Sequence, residues 1–244
     1  MLPTQVDLVQ RFDDIIINDI THGRNKYNFP LNIWVVVDEY GKSRNIAYVL
    51  HAYEDTESHT WVSTHLFAVL PPHINRVYVS DSDTRLESAI AQLGGIWHLL
   101  CLHHLGGNLS KNLTTLLGAR FQLFSLDFWQ TYHQMCPAAF DESWKNLLEK
   151  YPLTRRYLTK ELWPKHERWA WCYVTTEFTC GIRTSGRLEV ENRINKEFGN
   201  TKTPVSTLID RLITQANEQE NNNTLQDHRV RCFLSSNTAS IDVD

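Results

Sequence analysis

Two aspartates in this chain follow strand-like apolar runs and could share metal ions. Asp19 follows the apolar residues 15–17, and Asp81 follows the apolar residues 77–79. If the two runs form neighbouring parallel strands, both carboxylates project into the crevice at the carboxyl end of the sheet. Carboxylates that close repel each other, so such a pair usually needs a cation, and hard oxygen ligands select Mg²⁺ or Mn²⁺ over zinc. Two such ions can hold the attacking and the leaving oxygen of a phosphoryl transfer.

A third carboxylate is expected from a helix late in the chain. The segment GRLEVENRINK offers Glu189 and Glu191. Glu189 shares a helix face with Asn192, Arg193 and Lys196, but spacing does not choose between the two glutamates. The alternative for the two aspartates is that they are ordinary carboxylates in turns at strand ends, where Asp is common.

Cys101 and His104 form the other chemical cluster, because a Cys and a His three residues apart on a helical turn could be half of a zinc site. A second half is not evident, since Cys172 and Cys180 are too far apart for the usual ligand spacing. A buried structural Cys is the competing interpretation. The five cysteines are irregularly spaced and favour a reducing compartment over a disulfide framework.

The elements that must position these residues follow the order β-β-β-α-β-α-β-α. In the first helix, Trp61, Val69 and either His65 or Leu66 share one face. Short connections between the first three strands predict an antiparallel meander, and right-handed crossovers then add parallel strands. This α/β order is the plan of a ribonuclease H-like mixed sheet flanked by helices. The predicted strands cover 13–19, 31–38, 45–54, 76–81 and 96–101, and the helices cover 56–70, 83–94 and a stretch from His103 past Asn108.

The rest of the chain is predicted to be mostly helical. Five of the eight tryptophans fall within 119–182, which has no strand-like alternation and is expected to be a helical insertion. A helix over roughly 185–198 follows it, and another over 203–219 begins at a Thr-Pro pair. The polar segment 219–227 is expected to be loose.

Composition places the chain among ordinary globular proteins. Of its 244 residues, 42% are hydrophobic and 21% are charged. It has no apolar run long enough to span a bilayer and no signal-peptide pattern at its start, so we expect a soluble intracellular protein without membrane contact. The net charge of −4 argues mildly against a dedicated DNA-binding module.

Three segments together resemble the Mutator-like element (MULE) transposases and the far-red-response transcription factors domesticated from them. The likeness spans about 13–196 and is carried by order and spacing more than by any one motif. Smaller matches are Glu54 with Trp61, and Tyr157-Leu158 with Trp163 and Trp169-Ala170. The three segments are D-I-T-H-G-R-N-K-Y-N-F-P-L from Asp19, V-S-D-S-D from Val79 followed by C-x-x-H-x-x-x-N from Cys101, and G-I-R-T-S-G-R-L-E-V-E-N-R-I-N-K from Gly181.

The resemblance implies an Asp-Asp-Glu catalytic triad with two Mg²⁺ or Mn²⁺ ions. Its register selects Glu189 as the third metal ligand beside Asp19 and Asp81. It also implies a ribonuclease H-like fold with a helical insertion, DNA cleavage and strand transfer, and a nuclear protein that acts as a homo-oligomer on terminal inverted repeats and target DNA. His22 stands where the family usually has an aromatic residue, and this departure removes no ligand. The residues expected to contact DNA or support the ligands are Cys101, His104, Asn108, Arg187, Asn192, Arg193 and Lys196, with Arg183, Lys111 and Arg120 as further basic candidates.

The expected organisation is a first core part over 1–118, the Trp-rich insertion over 119–182, the catalytic helix over 183–200, and a C-terminal helix and flexible tail over 201–244. Full family members also carry an N-terminal zinc-binding DNA-recognition domain and a C-terminal SWIM-type zinc knuckle. Neither pattern occurs in these residues, so we expect a core fragment, a gene remnant or a degenerate copy. The alternatives are a domesticated, non-catalytic DNA-binding transcription regulator and a ribonuclease H-like nuclease from another branch.

Overall fold

A five-stranded mixed β-sheet organises the chain. The computed structural model describes residues 1–72, 75–176, 179 and 199–238, with side chains up to 230. The strand order is β3-β2-β1-β4-β5, with antiparallel pairing between β1 and β2 and between β2 and β3, and parallel pairing of β4 with β1 and β5. The strands are β1 (Ile15–Thr21), β2 (Leu31–Val37), β3 (Ser43–Leu50), β4 (Arg76–Ser80) and β5 (Ile96–Leu100).

The α/β class, the antiparallel meander and the two parallel additions are therefore as predicted from the sequence. Two boundaries differ. Strand β1 continues to Thr21, so Asp19 lies within the strand, where it pairs with Ile33 of β2. Strand β3 ends at Leu50, four residues before its predicted end at Glu54.

One face of the sheet is covered by three helices: α1 (Pro3–Arg11), α2 (Thr56–Phe67) and α3 (Thr84–Ile90). Their apolar side chains pack on Ile16, Trp34 and Tyr78 of the sheet. The sequence analysis does not predict α1. It also assigns Trp61 to the buried face of α2, whereas that side chain is 62% exposed. The helix instead buries a face that includes His59 and Ser63, polar residues that the apolar periodicity could not identify.

The middle of the chain forms a helical region with its own core. Helix α4 packs through Leu105, Leu109, Leu113 and Leu117, a four-residue spacing that places one side chain per turn on the same face. Full burial of each such leucine stabilises the fold by roughly 1.5–3 kcal/mol. The helices are α4 (Leu102–Leu117), α5 (Phe121–Tyr132), α6 (Pro137–Lys150), α7 (Arg155–Tyr157) and α8 (Trp171–Val174), with short 3₁₀ and π turns between α6 and α8.

A last helix, α9 (Val205–Thr238), lies against the second face of the sheet and then along its edge. Leu208 and Leu212 join the core on that face, and Gln219 accepts a hydrogen bond from the backbone N–H of Asn45 in the edge strand β3. The polar segment 219–227 is thus helical, and the expectation of a loose chain there is wrong. Among the described helices, none combines the length and apolar character required to cross a bilayer.

Candidate active site

Asp19 on β1 and Asp81, the residue directly after β4, occupy equivalent positions in two neighbouring parallel segments. Strand pairing joins Ile15 to Val77 and Ile17 to Val79, an offset of 62 in residue number. The same offset relates Asp19 to Asp81, because 81 − 19 is also 62. Successive side chains alternate between the faces of a sheet, so both aspartates belong to the face that carries these apolar residues. The strand register therefore places both residues on one face of the sheet, at the carboxyl end of β1 and β4, and both carboxylates raise the pKa of His104.

His104 lies beside this pair. It is on the first turn of α4, and its Nε2 is 3.5 Å from Oδ1 of Asp19. A hydrogen bond with Cys101, together with the negative charges of Asp19 and Asp81, raises the pKa of His104 to about 9 against the lowering effect of burial. The imidazole is thus positively charged at neutral pH. Cys101 is buried at the N-cap of α4, where the sequence analysis expects it.

The pKa of Asp81 is raised, first because the carboxyl group is buried and also because Asp83 and Glu54 place negative charge nearby. Asp83 behaves differently: although burial raises its pKa, hydrogen bonds from Arg85 and from the backbone of Leu86 lower it overall. Its carboxylate caps the N-terminus of α3, with Oδ1 2.8 Å from the amide nitrogen of Arg85. Asp83 therefore has a structural role beside Asp81.

A hydrogen-bonded chain links the helical region to the backbone at Asp81. Arg168 donates from Nη2 to Nδ1 of His98 at 2.6 Å and from Nε to the His98 carbonyl at 3.0 Å. Because Nδ1 accepts, the ring proton is on Nε2, which lies 2.7 Å from the Ser80 hydroxyl. That hydroxyl donates to the carbonyl of Asp81 at 3.0 Å. Burial, with the positive charge of Arg168, holds the pKa of His98 well below its usual range, so the ring stays neutral. No sequence pattern predicts this series of hydrogen bonds, because the residues that form it are distant in sequence.

A cavity of about 320 Å³ adjoins the site. It lies between the segment after β4, helix α4 and residues 157–165. Asn108, a predicted DNA-contacting or supporting residue, lines it. Its other polar lining residues include Ser82, Thr84, Asn112, Tyr157 and Lys165.

The remaining predicted site residues fall outside the described part of the chain. These are the candidate third ligand Glu189 and Arg183, Arg187, Asn192, Arg193 and Lys196. Lys111 and Arg120 are described and exposed, on α4 and just after it. Across residues 1–72, 75–176 and 199–230, no group of three or more His, Cys, Asp and Glu side chains is arranged to hold a metal ion. Within that part, the zinc interpretation of Cys101 and His104 lacks a second pair of ligands.

Comparison with known proteins shows which proteins this chain is similar to. Residues 15–108, which include both aspartates and His104, match the model of the MULE transposase domain. Over 89% of its length the chain is 22% identical to Protein FAR1-RELATED SEQUENCE 11 of Arabidopsis thaliana, and over 93% it is 21% identical to Protein FAR1-RELATED SEQUENCE 7 of the same plant. It is also 21% identical to Protein FAR-RED IMPAIRED RESPONSE 1 over 81% of its length.

The chain spans about a third of the length of these relatives, from 24% to 33%. Among solved structures it is similar to a chain in the cryo-electron-microscopy structure of a simian T-cell lymphotropic virus intasome in complex with PP2A regulatory subunit B56 gamma. That match has 17% identity and a TM-score of 0.25, and it covers 56% of this chain and 48% of the other. A TM-score this low does not assign a fold.

Proposed function

We propose that this chain, in which residues 15–108 match the model of the MULE transposase domain, is the catalytic core of a DNA transposase. In this proposal a ribonuclease H-like fold cleaves DNA and transfers the cut strand, using Asp19, Asp81 and Glu189 as the Asp-Asp-Glu triad. The five-stranded mixed sheet with a helical region after β5 is consistent with that fold. We also propose the organisation given above, with a helical insertion over 119–182 and the catalytic helix over 183–200.

The observation that carries the proposal is the matched placement of Asp19 on β1 and Asp81 directly after the adjacent parallel strand β4. Their oxygens are the hard ligands that Mg²⁺ and Mn²⁺ prefer. The raised pKa of Asp81 reflects the cost of a half-buried negative charge beside other carboxylates, and a bound cation would remove much of that cost. The two aspartates therefore fit a divalent metal site, with Glu189 proposed as the third ligand.

In such a site, divalent ions would activate the attacking oxygen and neutralise charge on the phosphate. The chain itself positions the ligands. The Ser80 hydroxyl holds the Asp81 carbonyl, and the His98 ring keeps that hydroxyl oriented. The imidazolium of His104 orients Asp19 and adds positive charge where a DNA phosphate would approach.

The proposed partners follow from the same reasoning. DNA is the substrate, as transposon terminal inverted repeats and as target DNA, and the acting form is a homo-oligomer assembled on it. The site of action would be the nucleus, as the similarity to the far-red-response proteins suggests.

A second candidate function is a domesticated, transposase-derived regulator that binds DNA without cutting it. Two observations favour it. The relatives described above carry FAR1-type names, and His104 already supplies a cation to Asp19 that a non-catalytic site could use in place of a metal ion. This candidate needs the fold and a DNA-binding surface but has no need of the metal ligands.

A plasmid-nicking assay with Mg²⁺ or Mn²⁺ separates the two candidates. Asp81→Asn and Asp19→Asn remove one charged ligand each, and nicking should fall to background in both. Asp83→Asn is the matched control, because Asp and Asn are equivalent N-caps and this carboxylate belongs to the α3 cap.

Calorimetric titration with Mn²⁺ supplies an independent readout, since the two ligand variants should also lose metal affinity. Full nicking by Asp81→Asn contradicts the transposase mechanism. A wild-type protein that binds DNA but neither nicks it nor binds Mn²⁺ supports the regulator.

A further inference from the structure

The loop that joins β1 to β2 lies at the same end of the sheet as the two aspartates. It begins directly after Thr21, two residues and therefore roughly 7 Å beyond Asp19 along the strand. At the start of the loop, His22 Nε2 lies 3.9 Å from Oε1 of Glu54. Glu54 is one of the carboxylates that raise the pKa of Asp81. Residues 22–30 thus form part of the rim of the candidate active site.

This loop has a fixed conformation, because Asn25 organises it from within. The Asn25 side chain is 1% exposed, donates to the Phe29 carbonyl at 2.7 Å, and accepts from the amides of Tyr27 and Phe29 at 3.1 Å each. Gly23 and Asn28 adopt positive φ angles of 69° and 55°, which glycine and asparagine tolerate best.

The segment before α9 also contacts this loop. The amide of Lys26 donates to the carbonyl of Thr203 at 2.8 Å. A Cβ atom on Gly199 would overlap the carbonyl of Arg24, so this close approach requires glycine. Residues 199–203, which are far from the loop in sequence, therefore help to hold its conformation.

This rigid loop exposes the aromatic ring of Tyr27 to solvent, with positively charged side chains beside it. Tyr27 is 59% exposed, and its ring stacks on Phe29 with 5.6 Å between centroids and 26° between planes. The Lys26 ammonium lies 4.8 Å from the centre of the Tyr27 ring. Arg24 and Lys202 lie on the same rim, and no carboxylate of the described residues forms an ion pair with Arg24, Lys26 or Lys202.

We propose that the Tyr27 loop is a stacking platform for an unpaired nucleotide of DNA next to the active site. A base takes the place of the Lys26 ammonium on the Tyr27 ring, and that ammonium and the adjacent cations contact the flanking phosphates, which is how proteins hold single strands without reading their sequence. Only an unpaired base exposes a face for such stacking, so single-stranded or frayed DNA is the partner, and intact duplex is not. The choice of DNA rests on the proposed function.

The test is fluorescence anisotropy of labelled (dT)₁₂ with the full chain in EDTA and low salt. Base–aromatic stacking contributes roughly 1–3 kcal/mol per base, so Tyr27→Ala should weaken binding at least about fivefold. Tyr27→Phe keeps the ring and should bind like wild type. Tyr53→Ala is the matched control: it removes a tyrosine that is 75% exposed but is followed by the carboxylates of Asp55 and Glu57, which repel phosphate.

A second readout separates stacking from a general loss of structure. An oligonucleotide with 2-aminopurine should lose fluorescence when bound by wild type or Tyr27→Phe, and keep it with Tyr27→Ala. Unchanged affinity in Tyr27→Ala, an equal loss in Tyr53→Ala, or no binding of (dT)₁₂ by wild type would each overturn the platform. The binding is measured without metal, so loss of nicking activity leaves this result standing, and absence of stacking leaves the nicking test standing.

Discussion

His51 should make the fold sensitive to mild acid. Its side chain follows β3, is 3% exposed, and accepts a hydrogen bond at Nε2 from Asn32 at 3.2 Å. The ring of His59 lies 5.0 Å away. Burial, with a smaller effect from His59, lowers the pKa of His51 from 6.5 to about 4. The folded protein therefore keeps this ring neutral at a pH where the unfolded chain protonates it.

The sign and size of the effect follow from that difference. Between its folded and unfolded pKa values, the unfolded state binds more protons, so the free energy of unfolding falls as pH falls. For a pKa of about 4 against 6.5, the loss between pH 7 and pH 5 is about 2 kcal/mol from this residue alone. Below a pH of about 4 both the folded and the unfolded protein carry a protonated His51, so the free energy of unfolding falls no further from this residue.

Urea unfolding at pH 7 and pH 5 measures this directly. His51→Gln retains an acceptor for Asn32 but does not titrate, so it should lose about 2 kcal/mol less than wild type over this interval. His65→Gln is the matched control, because His65 is an exposed histidine on α2 and should leave the wild-type pH dependence unchanged. Equal losses in wild type and His51→Gln would refute the reasoning.

Three further predictions concern other parts of the fold. Arg76→Met removes the 2.6 Å ion pair between Arg76 and the buried carboxylate of Asp13; urea unfolding should show a loss of about 3–5 kcal/mol, and adding Asp13→Asn should restore part of it. Gly199→Ala forces a methyl group against the Arg24 carbonyl and should cost about 1–3 kcal/mol by the same measurement, whereas an unchanged midpoint would show that the two segments can separate freely. Asp81→Asn removes a half-buried charge among carboxylates, so its thermal unfolding temperature in EDTA should rise by a few degrees, and a decrease would contradict this interpretation of the site.

The sheet was predictable because its strands carry local signals. The apolar residues 15–17 and 77–79 have strand-like composition, and the structure forms β1 and β4 there, with Asp19 near the end of β1 and Asp81 directly after β4. The parallel pairing of the two strands, with its offset of 62, was also predictable from the sequence. The convergence of the two aspartates with Glu189 on shared metal ions stays a prediction.

What the sequence could not predict depends on contacts between distant residues. His98 and Arg168 are 70 positions apart, and neither belongs to a motif, so their role behind Asp81 becomes visible only in the fold. The segment 219–227 has the composition of a loose chain, yet Gln219 and neighbouring side chains bond to β3 and keep it helical. Trp61 shows the opposite error, because its size suggests burial while the helix places it outside.

The long α9 helix also has a consequence for synthesis of the chain. Strand β3 is an edge of the sheet, and its Asn45 amide bonds to Gln219, 174 positions later. At about 5–20 residues per second, a ribosome needs roughly 10–35 s to make the intervening chain. Throughout that interval the edge of a nascent sheet can pair with a strand of another polypeptide. Several ribosomes on one message would hold such edges close together, so the spacing of ribosomes on that message bears on how much of this protein reaches its native state.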